Sequence, residues 1–189
     1  SINLYYFHHH MKLLARFIFW LTGWRIVGEV PKLKKFVAIL APHTSGWDVF
    51  YGFLAKYIFG IHFAFYGKKE IFDAPYGFVF KALGGIPVDR SKHSNLVEQA
   101  VATFNDRDEF ILALSPEGTR KYVEKWKTGF YYIALQAQVP IVLTYLDFEN
   151  KVAGIGPTFY PTGDIDKDME EIKNFYRPIK GYHPEKGIR

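Results

Sequence analysis

Residues 36–59 read "FVAILAPHTSGWDVFYGFLAKYIF". The five apolar residues 36–40 suit a short strand buried on both faces. Pro42 breaks regular structure behind it. From residue 46 to 59 the apolar character resumes for long enough to make a buried helix. A strand therefore feeds a helix through a short polar loop, which is half of a βαβ unit. That loop carries His43, Thr44, Ser45 and Asp48.

Working outward, the alternation repeats. Upstream, "RIVGEV" (25–30) reads as a strand. Downstream, "HFAFY" (62–66) is a strand candidate, 69–82 a helix, and "GIPVD" (85–89) a short strand. Residues 94–104 place Leu96, Val97, Ala100, Val101 and Phe104 at helical spacing. "FILALS" (110–115) and "PIVLTYLDF" (140–148) read as strands, with helices over 127–138 and 163–176. This order predicts a single α/β domain whose central, largely parallel mixed sheet is flanked by helices. The tail "GYHPEKGIR" (181–189) is expected to fray.

The bulk numbers agree with one core: 49% of the 189 residues are apolar. The absence of cysteine excludes a disulfide scaffold and a Cys nucleophile, and it permits a reducing compartment. Aromatics reach 19%, which suits a thick core or a lipid-facing surface. A net charge of +5 is compatible with an anionic partner, but no long basic run points to nucleic acid. Residues 1–10, "SINLYYFHHH", look like an expression-tag remnant, which leaves 11–189 as the domain. Residues 11–27 mix Lys12, Arg16 and Arg25 with Phe17, Phe19, Trp20 and Trp24. They are too charged to span a bilayer and suit an amphipathic helix on the membrane surface. An ordinary terminal helix packed on the core fits them equally well.

In open α/β sheets, sites gather in loops at the carboxyl ends of strands. Three polar clusters fall there: "HTSGWD" (43–48), "DRS" (89–91) and "PEGTR" (116–120). Two readings compete for the first. Ser45 and Asp48 match a capping box, which makes them the start of a helix and His43 a bystander. In the other, one imidazole nitrogen meets Asp48 and the second acts as a base; the two readings are compatible, since Asp48 can serve both. No Gly-x-Ser-x-Gly elbow, P-loop, HExxH helix or GxGxxG fingerprint accompanies the pair. A base without a protein nucleophile implies direct transfer from a substrate hydroxyl. Arg90, Arg120 and Lys121 have the chemistry to hold phosphate, and Glu117 could orient an Arg or accept a hydroxyl. A salt bridge for Arg90 and a turn role for Glu117 are the plain alternatives.

Taken together, "HTSGWD", "PYGFVFKALGGIPVDR" (75–90), "SPEGTR" and "VPIVLTYL" (139–146) occur in the order of four sequence blocks. In this the chain resembles the glycerolipid acyltransferase family, of the bacterial lysophosphatidate acyltransferase type. The resemblance implies His43 as general base, Asp48 as its orienting partner and Arg90 on the acceptor phosphate. It implies acceptor contacts from Glu117, Gly118, Thr119 and Arg120. It further implies acyl coenzyme A or acyl carrier protein as co-substrate, membrane lipids as partners, and neither metal nor bound cofactor. The implied location is the cytoplasmic face of the membrane, peripheral or monotopic. Ser115 and Trp47 depart from the family's usual residues and leave the acceptor open. A thioesterase using the same His–Asp pair and a non-catalytic lipid-binding protein are the alternatives.

Overall fold

A computed structural model describes residues 2–88 and 96–188. The elements in order are α1 (Ile2–Thr22), β1 (Arg25–Val27), β2 (Lys35–Leu40), α2 (Trp47–Phe59), β3 (Ala64–Lys68), α3 (Lys69–Asp73), α4 (Gly77–Ala82) and β4 (Gly85–Val88). There follow α5 (Leu96–Asp106), β5 (Phe110–Leu114), α6 (Gly129–Ala137), β6 (Ile141–Asp147), β7 (Val152–Phe159) and α7 (Ile165–Tyr176). The strands form one sheet in the order β1-β7-β6-β2-β5-β3-β4. Every pairing is parallel except the β6–β7 hairpin. The expected largely parallel α/β sheet is therefore the fold of this chain.

Strand β2 sits at the centre and divides its side chains between two layers, as the alternation of a pleated strand requires. Val37 and Ile39 join a core built with Ala100 and Phe104 of α5, Phe130 and Ile133 of α6, and Ile172 and Tyr176 of α7. Phe36 and Ala38 point to the opposite face, where Phe59 of α2 packs. On that side Ala15 and Phe19 of α1 pack with Leu54 and Ala55 of α2. The crossovers β2-α2-β3 and β3-α3-α4-β4 advance in one direction across the sheet. Right-handed connections therefore put α3 and α4 on the same face as α2.

Four local features differ from the sequence expectation. The helix expected over 69–82 is two short helices, because Ala74 precedes Pro75 and takes an extended conformation (φ −69°, ψ 155°). The strand expected over 25–30 is only Arg25–Val27. Gly28 then turns at φ +82°, where a side chain would strike Ile155 O. Strand β7 is not among the expected elements. It returns antiparallel along β6 after a turn in which Asp147 Oδ1 accepts the Glu149 and Asn150 N–H groups. The tail does not fray. Gly181 and Gly187 are buried, a 3₁₀ turn spans Pro184–Lys186, and Phe148 N–H bonds to Lys180 O. Helix α1 runs unbroken through residues 10 and 11, and no helix among the described residues is long and apolar enough to cross a membrane.

Candidate active site

The end of β2 is held firmly before the loop begins. Ala41 N–H bonds to Thr144 O, Thr144 Oγ1 donates to Ile39 O, and the buried Tyr176 hydroxyl lies 2.9 Å from Ile39 O and 3.1 Å from Thr144 O. The Ala41–Pro42 peptide is cis. His43 follows at once, so the chain delivers its side chain at the carboxyl edge of the sheet.

The His43 imidazole meets Asp48 through Nδ1 and Oδ2, 3.0 Å apart. The same Oδ2 accepts Thr44 N–H at 2.7 Å and Ser45 N–H at 2.8 Å. An oxygen already accepting two backbone donors takes Nδ1–H as a third. The tautomer therefore leaves the lone pair on Nε2. Asp48 is fully buried, whereas the imidazole retains 21% exposure and Nε2 has no partner among the described residues. The capping-box reading holds alongside the His–Asp pair. Ser45 Oγ accepts Trp47 N–H at 3.2 Å, and Asp48 Oδ2 accepts Ser45 N–H in return, while Gly46 between them already has helical φ and ψ. Asp48 thus serves both readings at once: it closes the box onto Ser45 N–H, and the ring shares its oxygen.

Strands β2 and β5 are parallel neighbours with Ile39 opposite Leu114, so their loops emerge side by side. That register brings Glu117 to His43 across 74 residues of chain, and Glu117 Oε2 accepts His43 N–H at 2.8 Å. Ser115 Oγ donates to the same oxygen at 3.3 Å. Glu117 is 4% exposed. Burial pushes its carboxyl up to about 7, only partly offset by the His43 N–H bond and the nearby imidazole. Gly118 turns the loop at φ +65°, with its N–H on Ser115 O. Thr119 Oγ1 accepts Lys121 N–H within its own loop. Arg120 is exposed, and a Cβ added at Gly46 would lie 3.3 Å from its Nη1. The guanidinium thus sits against the first turn of α2.

The backbone N–H groups of Thr44 to Trp47, at the start of α2, are the natural donors for a developing oxyanion, but they are mostly spent. Thr44 and Ser45 bind Asp48, and Trp47 binds Ser45. Only the Gly46 N–H is left without an acceptor among the described residues, and it lies in the neighbourhood of Arg120. Strand β4 ends at Val88 on the same sheet edge, but Arg90 lies outside the described residues. Sequence reasoning missed the buried side chain of Thr44, which is 2% exposed, and the bond that ties Glu117 to the His43 main chain. A threonine between His43 and Ser45 carries no signal for the first. The second needs knowledge that β2 and β5 are neighbours.

Fold and loops together define an α/β protein with a histidine–carboxylate cluster at the carboxyl edge of a parallel sheet. Residues 25–145 match the Acyltransferase family model, and the chain belongs to that family. It is 27% identical over 183 residues to a 1-acyl-sn-glycerol-3-phosphate acyltransferase of Cocos nucifera, with 87% of this chain and 58% of that protein covered. The chain thus spans somewhat over half the length of that relative. Its fold is also that of the 1-acyl-sn-glycerophosphate (LPA) acyltransferase PlsC from Thermotoga maritima. The TM-score is 0.65 at 17% identity, covering 89% of this chain and 76% of the other.

Proposed function

We propose that this protein transfers a fatty acyl group from a thioester of coenzyme A or acyl carrier protein to the free hydroxyl of a lysophospholipid. The acceptor we favour is 1-acyl-glycerol-3-phosphate, giving phosphatidate. The observation that carries the reading is the Nδ1–Oδ2 contact of 3.0 Å between His43 and Asp48, with Nε2 left to take a proton. In the proposed reaction His43 Nε2 removes the acceptor hydroxyl proton as the oxygen attacks the thioester carbonyl carbon. Asp48 favours the imidazolium that forms. The C–S bond then breaks, and the thiolate takes the proton from His43. Gly46 N–H and the Arg120 guanidinium are the groups nearest to hand for the tetrahedral oxyanion. Arg90 holds the acceptor phosphate, with Glu117, Gly118 and Thr119 shaping the adjacent loop. His43 and Asp48 supply the proton chemistry without a metal.

The acceptor is a membrane lipid, and the distribution of exposed apolar side chains supports a contact face. Leu13, Leu14, Phe17, Trp20 and Leu21 of α1, Trp47 and Phe50 of α2, and Tyr76 and Phe78 at α4 are all exposed. All belong to the α1–α4 side of the sheet. The large exposed apolar residues of α6 and the C-terminal segment are tyrosines, Tyr132, Tyr160 and Tyr182. A peripheral or monotopic protein at a membrane surface fits this asymmetry, and the cytoplasmic face is the location that the family resemblance implies.

The test is purified protein supplied with palmitoyl coenzyme A and lysophosphatidate, with lipids read by mass spectrometry. New diacyl lipid is expected. Free fatty acid alone would make the protein a thioesterase, and neither product would leave lipid binding without catalysis.

A further inference from the structure

The family match ends at residue 145, yet the chain returns to the His43 loop after α7. Phe148 N–H on Lys180 O starts the return. His183 N–H then donates to Thr44 Oγ1 at 3.1 Å. Gly181 packs so closely that a Cβ there would lie 2.7 Å from Thr44 Oγ1, 2.9 Å from Thr44 Cγ2 and 3.2 Å from Pro42 Cγ. A Cβ at Gly187 would lie 3.9 Å from Pro42 Cβ. Lys186, Gly187 and Ile188 also line the small cleft that reaches Glu117.

Thr44 is the joint between the two parts. Its side chain accepts from the C-terminal segment, and its own N–H donates to Asp48 Oδ2. That oxygen is also the one holding His43 Nδ1. Buried atoms bonded on both sides transmit displacement, because packed interiors leave no slack to absorb it. We propose that residues 180–188 are a positioning strap for the His43–Asp48 pair, acting through Thr44, with Gly181 and His183 as its contact residues. The strap lies outside the family's matched region and reaches the pair through Thr44. Its effect on turnover rests on the function proposed above. Its effect on the imidazole does not.

Gly181 has no left-handed φ, so Gly181→Ala perturbs by contact and not by backbone strain. In the acyl-transfer assay, Gly181→Ala is expected to lower kcat by about ten- to a hundredfold, with both KM values within about twofold, because sub-ångström misplacement of a base is felt in the chemical step. Thr44→Ala removes the two atoms that the methyl group introduced by Gly181→Ala would strike. The double variant should therefore be no slower than Thr44→Ala alone. Tyr131→Phe, which loosens a buried hydrogen-bond group between α6 and α7, serves as the control for lost stability and should leave kcat near wild type. If Gly181→Ala does not fold, Thr44→Val removes only the acceptor for His183 N–H and should lower kcat in the same way. Independently of turnover, ¹⁵N spectra of the His43 ring should show the Nδ1–H tautomer in the wild type and altered ring shifts in Gly181→Ala or Thr44→Val. Unchanged ring shifts in these variants would overturn the strap, as would losses that simply multiply in the double variant. Wild-type protein without transfer activity would sink the proposed function, and the ring spectra would then decide the strap alone.

Discussion

Replacing Glu117 by Gln should stabilise the protein at alkaline pH and hardly change it at acid pH. The carboxyl is 4% exposed and its titration is pushed from 4.5 up to about 7, chiefly by burial. The folded state therefore holds a proton that the unfolded chain gives up. Below 4.5 both states are protonated and the site costs nothing. Between 4.5 and about 7 stability falls as pH rises, and above that range the whole penalty is present. At about 1.4 kcal/mol per pH unit, the interval amounts to up to about 3 kcal/mol. Gln cannot ionise, yet its carbonyl oxygen can still accept the His43 N–H now held at 2.8 Å. Urea unfolding followed by tryptophan fluorescence at pH 5, 6, 7 and 8 measures the difference, since four tryptophans report. The variant should lie within about 1 kcal/mol of wild type at pH 5, exceed it increasingly up to pH 7 and gain little more by pH 8. A difference that stays flat across the series would refute the buried-carboxyl argument. A variant less stable at pH 8 would show that the ionised group is stabilised by charge that the loop geometry does not reveal.

Tyr131→Phe should cost about 1.5–3 kcal/mol at neutral pH, because the hydroxyl donates at 2.7 Å to the buried Asp168. Burial works against the charge on Asp168, but bonds from Thr162 and Tyr131 outweigh it and hold its carboxyl below the ordinary range. This stability is present above the unfolded titration near 3.8 and is lost as pH falls through the lower folded value, so the cost of Tyr131→Phe should shrink in strong acid. Arg90→Ala should lower kcat/KM for lysophosphatidate by roughly ten- to a hundredfold, the scale of one charge-assisted contact, and leave the donor KM alone. An equal loss on both substrates would make Arg90 structural. Replacing both Phe17 and Trp20 by Glu should abolish flotation with anionic vesicles while the melting temperature holds, since the two are 56% and 75% exposed. Unchanged flotation would move the contact face elsewhere.

The parallel sheet was legible because its inner strands are short apolar runs punctuated by polar loops, and β2 through β6 lie where those runs fall. Strand β7 was not, since "VAGIGPTF" interrupts its apolar residues with two glycines and a proline. Gly154 and Gly156 are needed there because Tyr145 and Phe175 occupy the space a side chain would fill. The Asp147–Asn150 turn before it was a usable signal of a hairpin. The spacing of His43 and Asp48 made them a candidate pair, because the four intervening residues bend one loop into the first turn of α2, but the order of the four sequence blocks was needed to favour that reading over a plain helix start. Glu117 was readable as a polar loop residue but not as the anchor of His43, since that depends on β5 lying beside β2. The strap was invisible for the same reason. "GYHPEKGIR" is rich in turn formers, and only the tertiary fit of Gly181 against Thr44 shows that the turns are packed.

The central claim is that His43, oriented by Asp48, takes the acceptor proton. The most direct measurement is kcat of His43→Ala in the acyl-transfer assay, beside its melting temperature and lysophosphatidate binding. Loss of a positioned base should lower kcat by at least about a hundredfold, toward roughly ten-thousandfold, with folding and lipid binding preserved. Turnover close to wild type in a correctly folded His43→Ala protein would contradict the account.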